Sequence, residues 1–414
     1  MGRLHEAGVV VIGAGVAGLA AARHLRARHV PVTLIEAGQR IGGRAYTAGF
    51  AGAAFDHGAA WLHDAERNPL AAMAGPGDTL PSDDTRQERL TVGGRPATAA
   101  EQAAYGAAWE GLDAAVAPAL DGPDTTLAAA MAPLRAGPHG AWAGLVALWE
   151  GAIIAAADAD VLSLQDWRRN RLDGSNLVPP EGVGAYVARK LGTEARLGVR
   201  ATRVAWGGPG VAVETDAGAI QAGAVVVTVS TGVLAAGTLG FDPALPSDVA
   251  GAVAGLPMGL LSKMAFAAAP GQWGVGTNTV LVDRDGCMSF QAWPQGRPQM
   301  IGYMGGRAAW GVAGDAGAAE TLAREELRRM LGAEAARMIG AVLATSWGTD
   351  PLFLGAYAYA GPGDAGARDV LAGAMLGERV VFAGEATRTD GLAGTVGGAF
   401  LSGVEAAERL LASA

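Results

Sequence analysis

The fold class of this 414-residue chain is decided by the stretch Val9-Val10-Val11-Ile12-Gly13-Ala14-Gly15-Val16-Ala17-Gly18. Four consecutive apolar residues predict a short buried strand, and the positions from Val16 to Leu25 repeat at helical spacing. A glycine turn of the Gly-x-Gly-x-x-Gly type lies between them. Strand, glycine turn and helix in this order predict the first unit of a parallel α/β sheet, with a phosphate site at the turn.

Each glycine of the turn has a predicted task. Gly13 permits the tight turn, Gly15 lets a pyrophosphate approach the backbone, and Gly18 lets the helix pack closely on the strand. The helix N-terminus at Val16 and Ala17 presents unpaired N–H groups to the anion. The turn therefore predicts a bound dinucleotide.

A second apolar run, Val32 to Ile35, ends at the acidic residue Glu36, eighteen positions after Gly18. A carboxylate at the end of this strand is suited to accept hydrogen bonds from the adenosine ribose hydroxyls. The context indicates a dinucleotide but does not distinguish FAD from NAD.

Four further segments carry recognisable motifs: Glu36 to Arg44, Asp56 to His63, Phe382 to Thr387, and Gly394 to Ala399. In this order they resemble the flavin-containing amine oxidase family, most of all its polyamine oxidase branch. Further matches occur at Leu177 to Gly184, Val225 to Leu234, Ser262-Lys263 and Trp347 to Tyr357, so the resemblance runs along nearly the whole chain.

The resemblance implies FAD as the cofactor. The FAD is expected to be non-covalent, because this chain has Ala356 where monoamine oxidases have a flavin-linking cysteine. The cofactor-binding residues that we predict are Gly13, Gly15, Val16, Ala17, Gly18, Glu36, Ala37, Arg40, Gly42, Gly43, Arg44, Gly58, Ala59, Ala60, Trp61, Val204, Trp347, Gly384, Glu385, Thr395 and Val396.

The same resemblance implies roles around the flavin for Lys263, Tyr357, His63, Trp347 and Thr395. Lys263 would hold a water beside flavin N5, and burial there should lower its pKa. Tyr357, in an aromatic segment with Trp347, would form a wall beside the substrate amine. His63 would hydrogen-bond the substrate nitrogen. Thr395 begins the helix beneath the pyrimidine ring, whose positive dipole end stabilises negative charge on the reduced ring.

Two features of the substrate site stay open in the sequence. Thr395 replaces the second tyrosine of monoamine oxidases, so a complete two-tyrosine cage is not expected. Polyamine recognition needs carboxylates for the distal ammonium groups, and no spacing selects among the candidates. These are Asp64, Glu66, Glu150, Asp158, Asp160 and Glu181.

The predicted architecture is α/β with two interleaved domains, similar to p-hydroxybenzoate hydroxylase and the amine oxidases. Residues 1–75, 182–244 and 373–414 are expected to form the FAD-binding domain, and 76–181 and 245–372 a substrate domain of mixed sheet and helices. Residues 75–95 are interpreted as a surface excursion. Alanine-rich helices are predicted from 97 to 167, with breaks at Pro118, Pro123, Pro133 and Pro138.

Composition excludes several classes of protein. The net charge of −9 argues against nucleic acid as a partner. The single cysteine, Cys287, allows neither an intramolecular disulfide nor a zinc cluster, so no metal is expected and a reducing cytoplasm fits. Residues 217–241 carry no charge but are rich in Gly, Thr and Ser, which favours a buried strand over a membrane span.

The sequence thus predicts a cytoplasmic enzyme, of bacterial origin by its alanine and glycine content and either a monomer or a homodimer. Its partners would be a small-molecule amine and O2. The alternatives are an oxidase of a secondary metabolite or of an L-amino acid, with Arg307 or Arg168 binding the carboxylate. A non-catalytic flavin-binding protein or a chromatin component related to histone demethylases is the alternative of another class.

Overall fold

A computed structural model describes residues 2–84 and 86–413, so that Met1, Thr85 and Ala414, which the predicted domain ranges include, lie outside the described residues. The first predicted unit is present as strand Val9–Ile12, helix Val16–Arg26 and strand Val32–Glu36. All four residues of the first strand are buried, as a strand covered on both faces requires.

Six strands form a sheet around this unit, which we call the nucleotide sheet. Val9–Ile12 pairs in parallel with Val32–Glu36 on one side and Ala224–Val227 on the other. In spatial order the strands are Met375–Leu376, Val380–Phe382, Ala224–Val227, Val9–Ile12, Val32–Glu36 and Arg196–Leu197. The mixed α/β class is confirmed, and widely separated parts of the chain contribute to this one sheet.

The two ends of the chain meet beside the nucleotide sheet. Helix Val16–Arg26 packs against the C-terminal helix Val396–Ala412. A Cβ added at Gly403 would lie 2.1 Å from the carbonyl oxygen of Ala17, so only glycine permits this approach. The contact brings the first and last motifs of the sequence to one place.

A seven-stranded sheet, which we call the large sheet, lies alongside. In spatial order its strands are Val342–Ala344, Leu261–Ala267, Gln299–Gly305, Met288–Ala292, Thr279–Asp283, Gln87–Val92 and Arg95–Pro96. The interpretation of 75–95 as a surface excursion is wrong for Gln87–Val92, because Leu90, Thr91 and Val92 are buried in this sheet. The assignment of 76–181 and 245–372 to one substrate domain stays a prediction.

Three smaller sheets complete the strands. Gly218–Ala222, Val211–Thr215, Ala201–Ala205 and Gly240–Asp242 form a four-stranded sheet, and Thr47–Phe50 pairs with Ala53–Asp56, as does Met258–Gly259 with Tyr357–Ala358.

The helices differ from the prediction at one proline. Pro118 does not break its helix, Leu112–Leu120, because only two helical residues follow it and little of the hydrogen-bond ladder is lost. The remaining α-helices are Gly2–Ala7, Pro69–Ala72, Ala99–Glu110, Leu127–Ala130, Ala132–Ala136, Ala143–Ala147, Leu164–Arg169, Val183–Leu191, Thr231–Ala235, Ser247–Ala254, Gly306–Gly311, Ala316–Leu331, Ala333–Met338 and Ala367–Gly373. Short 3-10 turns occupy Gly140–Trp142, Gln272–Gly274, Pro294–Gly296 and Glu385–Thr387, and Leu148–Ile153 forms a π-helical turn.

Across residues 2–84 and 86–413, no helix has the length and apolar character needed to cross a membrane. The uncharged segment 217–241 instead contains the strands Gly218–Ala222 and Ala224–Val227 and the helix Thr231–Ala235. Its all-valine centre is buried in the nucleotide sheet.

Candidate active site

One cavity of about 610 Å³ joins the motifs from both ends of the sequence. The predicted cofactor-binding residues that line it are Gly13, Gly15, Val16, Ala17, Glu36, Ala37, Gly42, Gly43, Arg44, Gly58, Ala59, Ala60, Trp61, Trp347, Gly384, Glu385, Thr395 and Val396. Lys263, Tyr357 and His63 line the same cavity. The fold therefore brings together residues that are up to 383 positions apart, the separation between Gly13 and Val396 (396 less 13).

The glycine turn forms a cradle in which side chains would collide. Gly13 has a φ of +100°, which favours glycine. A Cβ at Gly18 would lie 1.9 Å from the carbonyl oxygen of Gly13, and one at Gly43 would lie 3.0 Å from the Cα of Gly15. The missing side chains leave the backbone bare at the N-terminus of helix Val16–Arg26, where an anion is favoured.

Glu36 lies at the end of its strand with its carboxylate beside this turn. One oxygen accepts a hydrogen bond from the backbone N–H of Ala14 at 2.8 Å, and the other accepts from the N–H of Gly38 at 2.7 Å. These two bonds fix the carboxylate on the cavity wall, in the place where the sequence predicts contact with a ribose.

An ion pair connects the N-terminal and C-terminal motifs. Nη1 of Arg44 donates to Oε1 of Glu385 at 2.8 Å and to the carbonyl oxygen of Ala356 at 2.7 Å. Glu385 is buried and also accepts from the N–H of Ala358. Because a buried carboxylate needs such partners, the pair holds the two halves of the site in register.

Three predicted cofactor-binding residues are described but do not line the cavity. Gly18 does not face the cavity, but it lets helix Val16–Arg26 pack closely against the backbone of Gly13. Arg40 donates to the carbonyl oxygen of Gly43 at 2.7 Å and so shapes the loop. Val204 is buried in the hydrophobic core and does not line the cavity, whereas Ala201 on the same strand does, so a contact of Val204 with the cofactor stays a prediction.

The C-terminal helix begins at the cavity. Thr395 is its N-cap, and the hydroxyl oxygen accepts a hydrogen bond from the N–H of Gly398 at 2.9 Å while donating to the carbonyl oxygen of Leu392. A helix leaves the N–H groups of its first turn without helical partners. Val396, on the cavity wall, thus belongs to a helix end that carries partial positive charge.

Lys263 is buried on strand Leu261–Ala267 of the large sheet, with 4% of its surface exposed. Its Nζ donates to the carbonyl oxygens of Asp56 and Gly58, which fixes the loop that carries Trp61. Burial lowers the pKa of Lys263 from 10.5 to about 8. The side chain can therefore change its charge near neutral pH.

Trp61 and Tyr303 flank this lysine. Its Nζ lies 5.7 Å from each ring centroid, and the two rings are 5.6 Å apart. Asp83, which the sequence analysis missed, accepts from the indole N–H of Trp61 at 2.6 Å and is 1% exposed. Gln291 accepts from the Tyr303 hydroxyl at 3.3 Å, so polar contacts hold both rings.

His63 is held by a second missed residue. Its Nδ1 lies 2.6 Å from Oδ1 of Asn176, while the Asn176 amide donates to Asp84 at 3.2 Å. The bond to Asp84 orients the amide with its oxygen toward the histidine, so Nδ1 carries the proton. Burial lowers the pKa of His63. The neutral ring therefore presents Nε2 as an acceptor.

Tyr357 and Trp347 occupy the aromatic part of the wall. The Tyr357 hydroxyl donates to the carbonyl oxygen of Ile154 at 2.9 Å, and burial raises its pKa. The indole N–H of Trp347 donates to the carbonyl oxygen of His57 at 2.8 Å. Because both polar groups are used in these bonds, the rings have fixed orientations.

The structure distinguishes among the six candidate carboxylates of the substrate site by their position relative to the cavity. Glu150 lines the cavity, whereas Asp64, Glu66, Asp158, Asp160 and Glu181 do not, although all are described. The indole N–H of Trp167 donates to Glu150 at 2.7 Å, and burial raises the pKa of the carboxyl. Trp167 and the neighbouring pair Asp166–Arg368 were missed by the sequence analysis, although Ser163-x-x-Asp166 is a helix-start pattern.

The residues present fit a flavin dinucleotide. The cradle of Gly13, Gly15 and Gly43 leaves room that a Cβ would fill, and two helix N-termini lie on one wall. Across residues 2–84 and 86–413, no group of three or more His, Cys, Asp or Glu residues could hold a metal ion.

Comparisons with known proteins agree with this geometry. A family model described as flavin-containing amine oxidoreductase matches residues 16–411. Polyamine oxidase 3 of Oryza sativa subsp. japonica is 32% identical over 444 residues, covering 98% of this chain and 89% of the relative. Polyamine oxidase 4 of the same plant is 30% identical over 437 residues, covering 97% and 88%.

Two other similarities support narrower conclusions about this chain. Lysine-specific histone demethylase 1 homolog 1 of Oryza sativa subsp. japonica is 30% identical over 98% of this chain, which spans 52% of that relative. The structure of putrescine oxidase bound to putrescine superposes with a TM-score of 0.79 at 18% identity, covering 98% of both chains. The second similarity is one of fold.

Proposed function

The chain belongs to the flavin-containing amine oxidoreductase family, and from that membership we propose that it binds FAD without a covalent bond and oxidises a di- or polyamine. A bound flavin would supply hydride acceptance from the carbon next to the nitrogen; the resulting imine would hydrolyse to an aldehyde and either ammonia or a smaller amine, and O2 would be reduced to H2O2. Everything else in the reaction is positioning and proton placement by the chain's own residues.

Glu150 is the observation that carries the choice of a di- or polyamine. Four carboxylates line the cavity, and two of them, Asp166 and Glu385, are paired with arginines. Glu36 accepts two backbone N–H groups. Glu150 has a single hydrogen bond, from Trp167, and takes part in no ion pair within residues 2–84 and 86–413. A buried carboxylate with unused acceptor capacity is suited to a substrate ammonium group.

The reacting amine would lie between Tyr357 and His63. A hydride donor requires a nitrogen with a free lone pair, so the amine must be neutral at this end. His63, with Nε2 as an acceptor, can hold one N–H of that amine, and the ring of Tyr357 packs against its carbon chain. The two ends of the substrate thus meet different chemistry, an acceptor histidine at one and a carboxylate at the other.

Lys263 would act on the oxygen side of the reaction. Its ammonium group is held by two carbonyl oxygens and two aromatic rings, and a third N–H remains for a water molecule. Because its pKa is about 8, it can supply positive charge at neutral pH where negative charge develops on O2.

The alternative substrates receive less support from the structure. Oxidation of an L-amino acid needs an arginine in the cavity, but neither Arg307 nor Arg168 lines it, although both are described. Arg307 instead pairs with Asp160 on the surface. Arg86 and Arg171 do line the cavity, but they form ion pairs with Asp83 and Asp113, which lie outside its lining.

The test has two steps on the purified holoenzyme. Acid denaturation and filtration should release the yellow cofactor as FAD, whereas retention with the protein would contradict non-covalent binding. Anaerobic addition of putrescine, spermidine, spermine, n-butylamine, benzylamine and L-amino acids should then bleach the visible absorbance with the di- or polyamines first. Bleaching by L-amino acids alone, or by none of these, would overturn the proposal.

A further inference from the structure

Asp166 and Arg368 form a buried ion pair on the cavity wall, although 202 positions separate them. Nε of Arg368 donates to Oδ1 of Asp166 at 2.7 Å, and Nη2 donates to Oδ2 at 3.0 Å. The two side chains are 4% and 3% exposed. This forked geometry fixes direction as well as distance.

Two further N–H groups of Arg368 bind backbone carbonyl oxygens next to predicted flavin-site residues. One donates to the carbonyl oxygen of Ala358 at 2.8 Å, next to Tyr357, and another to the carbonyl oxygen of Ala386 at 3.1 Å, next to Glu385. Arg368 thus holds the backbone of the aromatic wall and the backbone of the C-terminal motif together.

Asp166 lies on the short helix Leu164–Arg169 and, like the next residue Trp167, lines the cavity. Its carboxylate also accepts from the N–H of Ala360 at 3.0 Å and from the side chain of Asn170 at 2.8 Å. The next residue on the helix, Trp167, donates to Glu150. Two consecutive residues therefore connect the flavin side and the distal carboxylate.

The backbone around Glu150 is tied to the same part of the cavity wall. Glu150 lies in the π-helical turn Leu148–Ile153, a rare kind of turn that is frequently found at functional sites. The hydroxyl of Tyr357 binds the carbonyl oxygens that end this turn, at Ile153 and Ile154. Both sides of the turn are thus tied to the same wall.

We propose that the Asp166–Arg368 pair is a positioning element that fixes the spacing between Tyr357 and Glu150, and thereby selects the chain length of the diamine. The inference rests on the proposed function, in which the reacting amine lies at Tyr357 and the distal ammonium at Glu150. If the helix shifts, the spacing changes and the preferred length changes with it.

The test measures kcat/KM for a homologous series from 1,3-diaminopropane to 1,6-diaminohexane, with n-butylamine as a substrate that has no distal charge. Asp166→Asn in the holoenzyme should reduce the ratio between the best diamine and its neighbours by about tenfold or change which diamine is best, since displacements near 1 Å have effects of this size or larger. Arg368→Lys keeps the positive charge but cannot form the two parallel hydrogen bonds to Asp166. Its chain-length selectivity should lie between that of Asp166→Asn and that of the wild type.

Two further variants separate positioning from general damage. Asp369→Asn removes the exposed Arg169–Asp369 pair that joins the same two helices, and it should leave the chain-length profile unchanged. Trp167→Phe keeps the ion pair but removes the N–H bound to Glu150, and it should flatten the profile even if Asp166→Asn does not fold. The visible spectrum and the FAD content report whether each variant retains its fold.

A uniform loss of activity at every chain length, in Asp166→Asn or Trp167→Phe, would overturn the inference and leave the proposed function intact. A flat profile in the wild type would do the same. Failure of the wild type to oxidise any diamine would instead overturn the proposed function.

Discussion

Replacing Glu150 with glutamine should convert a diamine oxidase into a poor one while sparing monoamines. The glutamine carbonyl can still accept the N–H of Trp167, so the local hydrogen bond survives and only the charge is lost. Glu181→Gln is the matched control, because Glu181 does not line the cavity and pairs with Arg189 on the surface.

The size of the effect follows from the burial of Glu150, which is 7% exposed. Opposite unit charges about 4 Å apart interact by about 4 kcal/mol at an effective dielectric constant of about 20. Removing one partner of a buried pair costs about 2–5 kcal/mol in measured complexes. A loss of about 3 kcal/mol corresponds to a decrease of about 150-fold in kcat/KM.

The pH dependence of kcat/KM is a second test of the charge on Glu150. Burial raises the pKa of Glu150, and the carboxylate rather than the acid binds an ammonium group. Wild-type kcat/KM for diamines should therefore fall as the pH drops through this raised pKa, whereas Glu150→Gln should lack that fall.

Steady-state H2O2 release gives kcat/KM for putrescine and n-butylamine in all three proteins. The diamine should lose about 150-fold in Glu150→Gln, and the monoamine should change by less than about threefold. An equal loss for both substrates would refute the assignment of Glu150 to the distal ammonium, because that assignment requires the second charge.

Three further outcomes are expected. The pKa of Lys263 is about 8 in the folded protein and 10.5 in the unfolded chain, so the unfolded chain binds more protons between these two pH values. The contribution of Lys263 to the free energy of unfolding therefore increases with pH in this range. The free energy of unfolding, measured by urea from pH 7 to 10, should increase for the wild type relative to Lys263→Met, and parallel curves would contradict the lowered pKa. Gly18→Ala should destabilise by about 1–3 kcal/mol and weaken FAD retention, because its Cβ meets a backbone oxygen at 1.9 Å. Gly251→Ala, in open helix surface, should instead stabilise by about 0.5–1 kcal/mol in thermal unfolding, and equal effects would contradict the packing argument. Asn176→Leu should release the tautomer of His63 and lower kcat more than it raises KM, whereas a change in KM alone would argue against a role at the reacting amine.

The parts of the fold that were predicted correctly are determined locally. The strand Val9–Ile12, the glycine turn and the helix from Val16 follow from residues within a few positions of each other. Strand Gln87–Val92 was missed because its parallel partner, Thr279–Asp283, lies about 190 positions away. Its alternating apolar residues became a strand through that pairing, and composition alone indicated a loop.

The position of Val204 shows a different limit. The residue is in strand Ala201–Ala205, and a β-bulge between Ala201 and Arg203 interrupts the alternation of side chains there, so the sequence did not specify which residues meet the cavity. Val204 is fully buried in the core, while Val199 to Ala201, at the start of the same region, reach the cavity. A shift of one residue in such an assignment exchanges the two faces.

The charged residues of the site were hidden for a physical reason. A buried arginine or carboxylate is tolerated when its partner is present, so the burial of either residue cannot be predicted until its partner is known. Arg44 and Glu385 lay inside motifs, and Asp166 and Arg368 did not, yet all four are ion-paired on the same wall. With 31 basic and 40 acidic side chains, the sequence offers too many pairings to choose among. Arginines neutralise Asp166 and Glu385, and two backbone N–H groups bind Glu36, so a cationic substrate is directed to Glu150, the carboxylate that could not be selected from spacing.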